Sequence, residues 1–144
     1  MSHLVVRARS SLGAIRLADA VEIFRPLPAT PLAGPPFLLG LAVVRGAPTP
    51  VVDLGALLGS ADERATAFFV AVRAGSRRVA LAVEGVLGIR SLERALLEPL
   101  PPLARSGGAP EAVGALDREL IVVLSAARLL PEEVWRELAA RGAA

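Results

Sequence analysis

Short apolar runs broken by glycine and proline fill the first 125 residues and predict a succession of β-strands. The pattern places strands at 4–9, 13–18 and 20–24, then at 38–45 and 49–52. A second series follows at 67–73, 78–83, 86–90, 113–116 and 120–124. Alternation is clear over 78–84, where Val79, Leu81 and Val83 share one face and Arg78, Ala80 and Glu84 take the other. The run Leu120-Ile121-Val122-Val123-Leu124 is apolar on both faces, which predicts a central strand covered on two sides. So many short strands with frequent turn residues point to small barrels or a sandwich.

The order of elements occurs twice. LADAVEIFR at 17–25 resembles LAVEGVLGIR at 81–90, with one extra residue in the second copy. A proline-rich crossing follows each, RPLPATPLAGPP and then EPLPPLARSGGAP, and each continues into a strand headed by glycine, Gly40-Leu41 or Gly114-Ala115. VVDLGALL at 51–58 then resembles VLSAARLL at 123–130. This repeat predicts two similar β-subdomains, 1–63 and 64–144, joined near 59–64. The second also carries a helix at 130–142, LPEEVWRELAARG. Pro131 suits its first turn, Glu132 and Glu133 suit the positive end of its dipole, and Gly142 suits its stop. Leu130, Val134 and Leu138, with Trp135 beside them, form a stripe expected to pack on the second subdomain.

Composition narrows the chemistry. With 144 residues, 53% of them hydrophobic, the chain can bury a core without disulfides and is not intrinsically disordered. It has no cysteine, which removes thiol nucleophiles and zinc–thiolate sites and suits a cytoplasmic location. Lysine, tyrosine, asparagine and glutamine are absent, so all 16 basic residues are arginine. The pI of 10.8 therefore overstates basicity, because net charge is only +2. The N-terminus lacks the apolar stretch of a signal peptide. The longest apolar run, 37–44, is far short of the ~20 residues a membrane-spanning helix needs. A soluble protein is expected.

Catalysis finds little support. The single histidine, His3, lies near the chain end, and no HxxxH, CxxC or clustered carboxylate spacing suggests a metal. No catalytic residue, cofactor or metal is expected. Nucleic-acid binding is disfavoured because the arginines are dispersed and aromatics are 3% of residues, too few for base-stacking platforms. Binding to protein remains, and VVRGAPTPVVDLGALLG at 43–59 carries it. Asp53 precedes a short helix and is expected to cap it. Arg45 ends a strand whose inward residues are expected to be Leu41 and Val43, so parity aims it at a core or subdomain junction. There it needs a partner, and Glu22 is the candidate. The pair either clamps two strands or meets a binding partner directly. Gly46 is expected to serve a turn.

At these residues the sequence resembles the CheW family of chemotaxis coupling proteins. The family's Val-x-Glu-Ile strand, proline-rich crossing, Gly-x-x-x-x-Arg-Gly and Pro-x-Val-Asp-Leu are matched by Val21 to Ile23, Pro26 to Pro36, Gly40 to Gly46 and Pro50 to Leu54. The segment Arg78 to Val86 and the closing strand from Leu120 extend the likeness over nearly the whole chain. The resemblance implies a mainly β fold of two small SH3-like five-stranded barrels sharing a hydrophobic junction, with a C-terminal α-helix. It also implies a non-enzymatic cytoplasmic adaptor that links the cytoplasmic tip of a chemoreceptor to the regulatory domain of a CheA-type histidine kinase. Neither nucleic acid nor direct membrane insertion is implied. By position, Ala20, Glu22, Gly40, Val43, Arg45 and Gly46 fall where receptor coupling is sensitive in the family. Kinase contact falls on apolar strand ends of the second barrel, here Val86, Leu87 and Gly88, and Asp53 falls at a structural position. Departures cluster in the second half: Glu84 replaces a family Asp, Ser125 stands where Asp or Asn is common, and the segment 99–120 looks shortened to a brief hairpin. An accessory coupler of the FrzB kind, binding receptors without recruiting kinase, is the alternative. A small β-barrel binding nucleic acid is the alternative of another class.

Overall fold

Four tight hairpins organise the chain. A computed structural model describes residues 1–60, 65–93, 97–99 and 109–140. The strands are β1 (Ser2–Ala8), β2 (Ser11–Arg16), β3 (Ala20–Phe24), β4 (Leu38–Val44) and β5 (Ala47–Asp53). They continue as β6 (Phe68–Ala74), β7 (Arg77–Val83), β8 (Gly85–Ser91), β9 (Glu98–Pro99), β10 (Pro110–Leu116) and β11 (Glu119–Leu124). Two-residue turns join β1 to β2, β4 to β5, β6 to β7 and β10 to β11. The first residue of each turn has positive φ: Arg9 at 58°, Arg45 at 53°, Gly75 at 69° and Asp117 at 57°. Such turns match the right-handed twist of the strands they join. Of the four, only Gly75 is the residue type that adopts this conformation without steric cost.

The strands form two sheets. One has the order β8-β1-β2-β11-β10-β9 and the other β3-β6-β7-β5-β4. In both, the fourth strand joins the third in parallel and the other neighbours are antiparallel. The sheets therefore match strand for strand over five positions: β8 with β3, β1 with β6, β2 with β7, β11 with β5 and β10 with β4. Bulges fall alike, between Val5 and Val6 where β1 meets β8, and between Ala20 and Glu22 where β3 meets β6.

The sheets do not follow the expected division at 63/64. The first half contributes β3, β4 and β5 to one sheet, but its β1–β2 hairpin completes the other; β6 and β7 make the reverse exchange. A sequence repeat reports the order of elements along each half, which is the same whether or not the hairpins change places. The register also places Gly40 opposite Val51 and Ala112 opposite Val123, so Gly114 corresponds to Ala42 rather than to Gly40. The β10–β11 hairpin runs from Pro110 to Leu124 and is longer than expected, because Pro110 to Ala112 continue the ladder through a bulge.

Exchange gives the two sheets a common interior. The largest buried cluster joins Leu4, Val6, Ile15 and Leu124 of one sheet to Val52, Val70, Leu81 and Val83 of the other. Each sheet also encloses a smaller cluster on its other face: Val5, Leu12, Ile121 and Val123 in one, Val44, Val51, Phe69 and Ala80 in the other. Strands buried on both faces read as unbroken apolar runs, as expected for Ile121 to Leu124; Leu120 is exposed.

Two helices seal the junction. Helix α1 (Leu54–Leu57) buries Leu54 in it. Helix α2 (Glu132–Ala140) buries Trp135 and Leu138 there, so the expected apolar stripe packs on the shared core. Its first turn hangs on the Pro131 carbonyl, which accepts from the N–H groups of Val134 and Trp135. Arg77, just past the β6–β7 turn, stacks 4.7 Å from the Trp135 ring and donates to both oxygens of Glu132. Gly142, the expected stop, lies outside the described residues.

Candidate functional site

The sequence-predicted residues divide between a surface and its supports. Glu22 lies on β3 and Arg45 at the β4–β5 turn, on strands at opposite edges of the five-stranded sheet. Arg45 nevertheless donates from Nε and one terminal nitrogen to the two carboxylate oxygens of Glu22, at 3.0 and 2.8 Å. A single side chain bridges the edges only because the sheet curls back on itself. Phe24 and Phe69 pack edge to face inside the curl, with ring centroids 5.9 Å apart.

The pair is a surface feature. Hydrogen bonding from Arg45 holds the Glu22 carboxyl below its usual value, against desolvation, with the charges of Arg45 and Arg78 assisting. The Arg45 side chain is 73% exposed. This corrects the inward orientation expected from parity. In β4 the buried positions are Leu38, Gly40, Ala42 and Val44, whereas Val43 is 66% exposed. Because Leu38 to Val44 are all apolar or glycine, hydrophobicity carries no parity signal along this strand.

The other predicted residues play distinct parts. Val43 and Ile23 present exposed apolar side chains from the two strands that the ion pair connects. Gly46, at φ 79°, completes the turn and faces open space. Ala20 packs against the shared core. Gly40 is a support, at φ 141°, where an added Cβ would lie 2.0 Å from the Thr30 carbonyl oxygen. That carbonyl accepts from Leu41 N–H at 2.9 Å, and Thr30 N–H donates back to Leu41 at 2.7 Å, which pins the proline-rich crossing to β4. Beside the turn, a groove of about 290 Å³ is lined by Arg45, Thr49, Pro50, Arg78 and Trp135 among others.

Asp53 caps α1 as expected, accepting from Ala56 N–H at 3.2 Å. Its second oxygen receives Arg9, which also donates to the Ser60 carbonyl at 3.0 Å. Arg9 was not legible in the sequence. It sits at a hairpin turn of one sheet and reaches the helix cap of the other, a meeting created by the exchanged hairpins.

On β8, Val86 packs partly against the shared core and Leu87 against the smaller cluster of its own sheet, while Gly88 has φ 103°. The apolar side chain this edge strand exposes is Ile89, at 57%, which sequence reasoning passed over. Among the described residues, no three His, Cys, Asp or Glu side chains cluster as metal ligands, and no helix is long and apolar enough to cross a membrane.

The CheW-like domain family matches residues 2–134. The chain belongs to this family. It is 32% identical over 123 residues to a protein of Rhizobium etli named "Probable chemotaxis protein CheW", a match spanning 82% of this chain and 79% of that one. The fold is similar to the crystal structure of the scaffolding protein TtCheW from Thermoanaerobacter tengcongensis. That match has a TM-score of 0.72 at 21% identity and covers 86% of this chain and 88% of the other. The expected mainly β architecture with a shared junction is thus the architecture of a CheW-like protein.

Proposed function

We propose that this CheW-like protein is a non-enzymatic chemotaxis adaptor that couples the cytoplasmic tip of a chemoreceptor to the regulatory domain of a CheA-type histidine kinase. One observation carries the receptor half of this reading: the exposed, two-pronged Glu22–Arg45 pair flanked by Val43 and Ile23. Internal comparison argues that the fold does not require the pair. The matching positions of the other sheet are Gly88 and Asp117, which cannot form it, yet that sheet has the same strand order and register. A planar guanidinium held on a carboxylate beside exposed aliphatic groups suits a helical partner with both polar and apolar contacts.

The kinase half rests on the edge strand β8, where Ile89 is the exposed apolar group and Val86 and Leu87 hold the strand to its cores. Family membership supports an adaptor rather than an enzyme. The protein acts in the cytoplasm and joins receptor arrays through protein contacts. Titration of the purified protein against a chemoreceptor signalling tip and, separately, a CheA regulatory domain tests both halves. Binding to both is expected. Receptor binding alone would leave an accessory coupler, and binding to neither would overturn the reading.

A further inference from the structure

The two sheets finish their turn ends differently. In the six-stranded sheet Leu12 is buried, and Arg7 donates to both oxygens of Glu119. The register carries Leu12 onto Arg78 and Glu119 onto Ala47 in the five-stranded sheet. There an exposed arginine takes the place of a buried leucine, and alanine the place of the glutamate. The result is the groove of about 290 Å³ beside the Arg45 turn. Its apolar walls include Ala47, Pro48, Pro50 and Ala71. Its charged members are Arg45, Arg77 and Arg78, with no acid among the described residues that line it.

We propose that this groove receives a glutamate side chain of the receptor tip, with Arg78 as its anchoring cation. The inference rests on the coupling role proposed above: the groove shares Arg45 with the Glu22–Arg45 surface, so a partner that covers the pair also covers the groove. The three arginines are not equivalent. Arg77 lies over the Trp135 ring with both terminal nitrogens donating to Glu132. Arg45 commits Nε and one terminal nitrogen to Glu22 and keeps the other terminal nitrogen to donate elsewhere. Arg78 makes no hydrogen bond or ion pair among the described residues and contributes only its charge to the field at Glu22. Glu22 and Glu132 thus balance Arg45 and Arg77, and the positive charge left over is that of Arg78. A guanidinium without a partner, beside a second uncommitted donor, suits the two oxygens of a carboxylate. The apolar walls favour a carboxylate carried on an aliphatic stem over a strongly hydrated anion such as phosphate.

Calorimetric titration of a chemoreceptor signalling tip into the full chain tests this, with Arg78→Leu, Arg78→Gln and Arg78→Glu as variants. Arg118→Leu, at the matching turn of the other sheet, controls for the loss of one positive charge. Leucine stands at the matching position of the six-stranded sheet, so Arg78→Leu should melt no lower than wild type. Arg78→Gln keeps a polar group there and serves in its place if the leucine variant does not fold. Tip affinity should fall about tenfold in both, with a weaker dependence on salt, and further in Arg78→Glu. It should stay unchanged in Arg118→Leu. Among tips in which one glutamate at a time is changed to arginine, one should bind Arg78→Glu more tightly than wild type. If the wild-type chain does not bind the tip, the coupling role falls and this inference with it. If wild type binds and the Arg78 variants match it, or Arg118→Leu loses as much, or no altered tip prefers Arg78→Glu, the inference alone is overturned.

Discussion

Arg45 and Glu22 share two hydrogen bonds although their strands lie at opposite edges of one sheet. The contact closes the curl of that sheet across its surface, where water competes for both groups. Exposed pairs of this kind contribute little to stability, and their value lies in fixing geometry.

Arg45→Ala should therefore leave circular dichroism and melting temperature close to wild type while abolishing capture by a receptor tip. The charge-swapped Glu22→Arg/Arg45→Glu should fold equally well. If it restores capture, the pair acts by shaping the surface; if capture stays lost, Arg45 touches the receptor itself. Unfolding of Arg45→Ala would contradict the assignment by making the pair structural.

Gly40 and Gly46 lie on the same strand-and-turn unit but should lose unequal amounts of stability to alanine. At Gly40 the new methyl would overlap the Thr30 carbonyl in a backbone conformation that L residues rarely adopt. A loss of about 3 kcal/mol or more is expected, at the upper range of backbone strain. Gly46 faces open space, so alanine there should cost about 1 kcal/mol for its positive φ alone. Denaturant midpoints of the two variants check this, and equal losses would show that contact with Thr30 carries no energy.

The element order, the repeat and the cap at Asp53 were legible because each has a local signature: apolar runs, duplicated strings, an acid before a short helix. The Glu22–Arg45 pairing was reached from an inward-facing Arg45, although the pair lies on the surface. Facing directions in β4 were not legible, since Leu38 to Val44 offer no polar residue to mark the outside. The hairpin exchange was hidden for a different reason. Both pairings satisfy the same hydrophobic pattern, and the choice rests on which sheet each crossing segment reaches. Arg9 was lost with it, since its partner lies 44 residues away in the other sheet.

Removing one member of the Arg9–Asp53 pair should be far costlier than breaking the surface pair. Arg9→Met leaves the Asp53 carboxylate facing a partly buried site without its cation, and a loss of about 3 kcal/mol is expected. Asp53→Ala also removes the α1 cap, adding about 1 kcal/mol. The double variant Arg9→Met/Asp53→Leu should recover part of the loss, because no buried charge is left unpaired. Urea unfolding of the three variants measures this, and strictly additive losses would rule out the coupling.

Acid should weaken the fold only slightly, through the summed small contributions of three surface carboxylates gripped by arginine. Hydrogen bonds from Arg45, Arg7 and Arg77 hold Glu22, Glu119 and Glu132 below the usual value of 4.5. Their folded-state values lie below the unfolded ones, so the contribution is complete above that value and fades as pH falls through the lowered ones. Melting temperature should be flat above about pH 5.5 and decline below pH 4.5, less steeply at high salt. The triple variant Glu22→Gln/Glu119→Gln/Glu132→Gln should show a shallower decline, and an unchanged slope would place the acid response elsewhere.

On β8, Leu87 and Ile89 offer a final contrast two residues apart. Leu87 packs partly against the inner cluster of its sheet, whereas Ile89 is exposed opposite Leu4 on an edge strand. An arginine at position 87 would have to leave its site or bury a charge, so Leu87→Arg should lower the melting temperature along with any binding. Ile89→Arg should leave melting unchanged and remove kinase-domain binding while sparing the receptor tip. Calorimetric titration of the Ile89 variant against both partners separates these outcomes. Kinase binding at wild-type strength would exclude this edge as the docking face and redirect attention to other exposed apolar positions, such as Leu39 and Leu120.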